Sequence, residues 1–132
     1  MDAKTLKALT AMFCAAIAVF VRSAHAAPER ACTITGTPGA DLILGSKGPD
    51  VICALGGDDK IDGIGGNDII FGGAGNDLIQ GSGGRDVING GPGNDQIDAY
   101  DGTRDIVDGG PGVDQAHIDR TIDKIVRVER VD

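Results

Sequence analysis

From residue 41 onward, single aliphatic residues recur at every ninth position: Ile43, Ile52, Ile61, Ile70, Ile79, Ile88 and Ile97. After one inserted residue the series resumes at Val107 and Ala116. Each is the middle of a short triplet, such as Leu42-Ile43-Leu44, Ile69-Ile70-Phe71 or Val87-Ile88-Asn89. Alternation over three residues is the pattern of a short strand whose central side chain points inward. Glycine-rich turns separate the triplets, and no 3.6-residue period runs through them, so helices are excluded. One triplet cannot bury its isoleucine alone, so the units must stack. Two units, or 18 residues, make one coil, with odd units on one sheet and even units on the other. The chain is therefore expected to be all-β, a parallel β-roll of nine units over residues 36–117, with a double ladder of single isoleucines as its core.

The polar positions keep the same register. Two residues before each aliphatic stands an aspartate: Asp41, Asp50, Asp59, Asp68, Asp77, Asp86, Asp95, Asp105 and Asp114. Two residues before each Asp stands Gly, with Thr103 the exception, and the first position is Gly except at Ala54 and Tyr100. The unit reads G-x-x-G-x-D-x-I-x. Glycine there permits tight and left-handed turns that a β-carbon would oppose. The 132 residues carry a net charge of -8. Residues 27–132 hold 9 cationic and 19 anionic groups, net -10, and 17 of those acids are Asp. This charge argues against nucleic acid and anionic membrane surfaces as partners.

Residues 1–26 read as a secretory signal peptide. Lys4 and Lys7 precede the 14-residue apolar run Ala8–Val21, and Ala24-His25-Ala26 supplies a small-x-small cleavage pattern. The run is too short for a transmembrane span, which needs roughly 20 residues. A secreted product starting at Ala27 is expected, with residues 27–35 as a lead-in strand. That context permits a disulfide between Cys32 and Cys53. In ideal register the two would sit about 10 Å apart along the strands, so bridging requires the residues before Thr33 to fold back. Residues 118–132 leave the period and carry Arg120, Lys124, Arg127 and Arg130. Val126-Arg127-Val128-Glu129 alternates, and a capping strand over the last coil is expected there.

Gly72-Gly73-Ala74-Gly75-Asn76-Asp77, Gly90-Gly91-Pro92-Gly93-Asn94-Asp95 and Gly109-Gly110-Pro111-Gly112-Val113-Asp114 resemble the haemolysin-type calcium-binding nonapeptide repeats of RTX proteins. The resemblance implies a β-roll holding Ca²⁺ between turns i and i+2, with the nine register aspartates as ligands and turn carbonyls supplying the remainder. It also implies a chain that orders when calcium binds. The chemistry agrees. Ca²⁺ takes 6–8 oxygens at about 2.3–2.6 Å, and stacked strands lie about 4.8 Å apart, so an ion midway reaches both turns. Nine turns allow at most seven gaps, four on the odd edge and three on the even edge. Without the ion, columns of like charge repel and the thin core cannot offset that cost.

The two edges differ. Asp58, Asn76 and Asn94 add oxygen character to the odd edge, whereas Lys47, Arg85 and Arg104 flank the even one. The odd edge is expected to fill first, with the Asp86–Asp105 gap weakest. Val51, Ile69, Val87 and Ile106 form an outward β-branched ladder, a possible face for a protein partner or a second copy. No nucleophile elbow, Walker loop, zinc motif or EF-hand is present, and His117 is the one histidine after residue 26. The expectation is a secreted, non-catalytic calcium-binding protein. The alternatives are a calcium-dependent adhesion module and, further off, an accessory to a secreted hydrolase, for which the chain leaves no room.

Overall fold

A computed structural model of the protein describes residues 31–132, so the signal peptide reading lies outside the described residues. Twelve short strands alternate between two parallel sheets. The first sheet holds β1 (Ile34–Thr35), β3 (Val51–Cys53), β5 (Ile69–Phe71), β7 (Val87–Asn89), β9 (Ile106–Asp108) and β11 (Lys124–Val126), in that order. The second holds β2 (Leu42–Leu44), β4 (Lys60–Asp62), β6 (Leu78–Gln80), β8 (Gln96–Ala99), β10 (Gln115–Ile118) and β12 (Arg130–Val131). Ile52 pairs with Ile70 and Ile61 with Ile79, which is the predicted 18-residue coil. Across the insertion the step is 19, with Ile88 opposite Val107 and Ile97 opposite Ala116, and it returns to 18 with Val107 opposite Ile125. The structure is a β-solenoid of about five turns, as the period predicts.

The core is the expected double ladder: the nine central aliphatics are all buried, joined by Ala54, Ala99 and Ile118. The C-terminal boundary departs from expectation, and the N-terminal one meets the condition set for the disulfide. The C-terminal segment is not one strand through residues 126–129. The chain turns at Arg127, whose φ is 48°, and places β11 on one sheet and β12 on the other. Arg127 secures this turn by donating from Nε to Asp108 Oδ1 at 2.9 Å, and its Nη2 pairs with Oδ2. At the other end Thr35 lies opposite Cys53. The chain bends at Thr33, so Cys32 does not continue the line of β1. The Cys32–Cys53 disulfide forms with Cα atoms 5.9 Å apart.

Candidate metal centre

The register aspartates do not project into solvent. Asp59, Asp68, Asp77, Asp86, Asp95, Asp105 and Asp114 are at most 2% exposed. Their burial follows from the turn, which folds each carboxylate under the next coil instead of outward. Glycine makes the room. A Cβ on Gly72 would lie 2.5 Å from Asp77 Oδ2 and 2.6 Å from the Gly90 carbonyl, and one on Gly75 would collide with the Gly57 backbone.

Each carboxylate has two distinct oxygens. Oδ1 accepts the backbone N–H of the register Asp one coil earlier. Asp59, Asp77, Asp95 and Asp114 do so from Asp41, Asp59, Asp77 and Asp95 at 2.7–2.9 Å. Asp68, Asp86 and Asp105 form the matching even column on Asp50, Asp68 and Asp86. Oδ2 of those same seven residues is buried and has no hydrogen-bond partner. Asp41 and Asp50 differ, because their Oδ2 atoms accept N–H bonds from Thr37 and Ser46 at 2.5 and 2.6 Å.

Two residues outside the predicted set complete the columns. Asp123 Oδ1 accepts from Asp105 N–H at 2.9 Å, and Glu129 Oε2 accepts from Asp114 N–H at 2.7 Å. Asp123 lies nine residues after Asp114, with Ile125 two further on, so the period in fact runs one unit past residue 117. Glu129 obeys no period; its longer side chain spans a shortened last coil. Asp58, Asn76 and Asn94, which add oxygen character to the odd edge, build a second ladder there. Their Oδ1 atoms accept the N–H groups of Asn76, Asn94 and Val113 at 2.8–2.9 Å.

An ionised carboxylate oxygen sealed from water without a donor is costly. Burial pushes the Asp86 carboxyl up to about 7, with the Asp68 backbone bond opposing and Asp105, Asp68 and Asp101 adding to the rise. Burial likewise raises Asp95 and Asp105 to about 6, and raises Asp59, Asp68 and Asp77. A divalent cation relieves this cost directly. Among the described residues no three His, Cys, Asp or Glu side chains converge on one point. With one carboxylate per turn, an ion between stacked turns would draw its other ligands from backbone carbonyls. That donor set is all oxygen, which suits a hard cation such as Ca²⁺ and not zinc.

A family model, the RTX calcium-binding nonapeptide repeat (4 copies), matches residues 35–70, 62–97 and 81–116. The chain belongs to that family. No curated protein and no solved structure matches it significantly. As an RTX repeat protein it is a calcium-binding repeat protein, and the buried aspartate columns are consistent with that class.

The remaining surfaces distinguish the two edges. Arg85, Arg104 and Lys124 line a groove of about 830 Å³ with Val87 and Ile106 on the even edge. Turn eight, which has Thr103 where the other units have Gly, takes its left-handed residue at Gly102, φ 88°. The Thr103 hydroxyl lies 2.7 Å from the Gly84 carbonyl and 2.6 Å from Asp101 Oδ1. Val51, Ile69, Val87 and Ile106 stand in register on the outer face of the first sheet. No helix among the described residues is long and apolar enough to cross a membrane.

Proposed function

We propose that this is a secreted, non-catalytic calcium-binding roll that folds when Ca²⁺ enters the gaps between its turns. The seven buried, unpartnered Oδ2 atoms carry the reading. They make the metal-free roll expensive, and a ligand that binds only the folded state stabilises it by linkage. Asp59, Asp68, Asp77, Asp86, Asp95, Asp105 and Asp114, whose Oδ2 atoms have no donor, are the proposed ligands, with Asp41 and Asp50 at the ends of their columns, and the seven gaps between the nine register aspartates are the upper bound on ions. Export rests on the residue 1–26 pattern, and millimolar extracellular calcium suits sites of modest affinity. The Val51/Ile69/Val87/Ile106 ladder supports a second reading, a calcium-dependent interaction module, since the face forms only when the coils are stacked.

One experiment tests the main reading. Protein expressed from the full sequence in an exporting host is expected outside the cell, beginning at Ala27. Its far-ultraviolet circular dichroism should show β-structure in calcium and lose it in excess EDTA. An unchanged β spectrum in EDTA would sink the folding claim, and retention of residues 1–26 would sink export.

A further inference from the structure

The turns come in two backbone designs. In turns one and two the second residue, Thr37 or Ser46, closes the turn. Its N–H bonds Oδ2 of the turn's own aspartate, and its hydroxyl accepts the N–H of Gly39 or Gly48 at 3.2 Å. The same closure returns past the ninth turn, where Asp119 N–H bonds Asp123 Oδ2 at 2.7 Å. Turns three to nine are open. Their second residue is left-handed at Leu55, Ile64, Gly73, Ser82, Gly91 and Gly110, with φ between 63° and 99°; the longer turn eight has its left-handed residue third, at Gly102, and its second residue, Asp101, donates to Asp119 Oδ2 at 3.1 Å. The N–H groups then bond elsewhere: Ile64 donates to Asp62 Oδ1 at 2.9 Å and Gly91 to the Gly109 carbonyl at 3.0 Å. The Oδ2 atoms left without a donor are those of these seven turns.

An open turn is unfavourable by itself. It strands a buried carboxylate oxygen, and at Leu55, Ile64 and Ser82 it also imposes a backbone region that non-glycine residues, β-branched ones above all, disfavour. The closed design satisfies the same oxygen with a main-chain donor, and Thr, Ser and Asp all adopt it here. Turns three to nine forgo that donor, which leaves each oxygen to a cation.

We infer that calcium is confined to gaps bounded by open turns on both sides. Those are Asp59–Asp77, Asp77–Asp95 and Asp95–Asp114 on one edge and Asp68–Asp86 and Asp86–Asp105 on the other. The chain therefore binds five ions, and Thr37, Ser46 and Asp119 make the terminal turns metal-free caps. Asp41 and Asp50 act as hydrogen-bond acceptors that end the columns. At the same end Thr33 and Thr37 hydroxyls approach their free Oδ1 atoms at 3.4 and 3.1 Å. This inference rests on the calcium-binding reading above and goes beyond it in assigning which turns are loaded.

Calcium stoichiometry of the disulfide-bonded chain from Ala27 decides it, by equilibrium dialysis against calcium chloride up to about 10 mM, well above the affinity range of extracellular sites. Five ions per chain are expected. The double variant Asp41→Asn, Asp50→Asn should still bind five, whereas Asp77→Asn, which borders two gaps, should bind three. A parent count of seven, or loss of an ion in the double variant, would overturn the assignment while leaving calcium binding intact. A parent chain that binds no calcium would instead remove the underlying reading.

Discussion

Asp86 shows how burial and neighbouring charge meet in one residue. It is 1% exposed, and burial brings its carboxyl to about 7, above Asp95 and Asp105 at about 6. Arg85 and Arg104 line the groove beside it, and their positive charge opposes a cation at that edge. That repulsion is the physical ground for an odd edge that fills first. Calorimetry should find that Asp77→Ala lowers calcium affinity more than Asp86→Ala; the reverse order would refute an odd edge that fills first. The residue scale was the most legible one. Nine aspartates and their inward aliphatic partners follow from counting. Asp123 follows too, nine residues past Asp114, but Thr121 in place of the expected Gly obscured its unit.

At the scale of the element, no strand stands alone. Each three-residue strand buries one side chain, so its stability comes from the coils above and below. Ile70 is fully buried with Ile52 and Ile88 as sheet neighbours, while Ile43 sits on the edge strand β2. Ile70→Ala should cost about 2–5 kcal/mol of the calcium-saturated roll, measured by urea unfolding in saturating calcium. Ile43→Ala should cost less, since an end coil can relax around the loss; equal losses would argue against the stacked core. Turn design was only partly legible. Thr37 and Ser46 differ visibly from Gly73, Gly91 and Gly110, yet nothing in Leu55 or Ile64 announces a left-handed residue. Those conformations are imposed by neighbouring coils.

For the whole molecule, the buried carboxyls make the fold's response to pH depend on calcium. Asp86, Asp95 and Asp105 have folded-state values raised above the unfolded value of about 3.9. Such groups add stability to the metal-free roll that is fully present below about pH 3.9 and lost as pH rises through 6 to 7. In EDTA, β-structure should therefore be greater at pH 4 than at pH 8. With calcium the order reverses, because protons compete for the same oxygens, and the calcium midpoint should rise as pH falls from 8 to 5.5. Circular dichroism across both series checks this. A metal-free spectrum with no gain at pH 4 would show that buried ionisation is not what opposes folding.

The sequence by itself determined the nine-residue period, the 18-residue coil, the inward residue of each strand and the two columns of aspartates. These depend only on spacing along the chain, and a regular stack converts spacing directly into position. The tertiary structure decided the rest. Which carboxylate oxygens lack a donor depends on turn dihedrals that adjacent coils enforce. The way each column ends depends on Thr33, Thr37, Asp123 and Glu129 meeting partners up to a coil away. The disulfide closes because the chain bends at Thr33, which ideal strand geometry does not contain. Membership of a calcium-binding repeat family could be read from the repeat, but which turns leave a carboxylate oxygen without a donor was set by contacts between repeats.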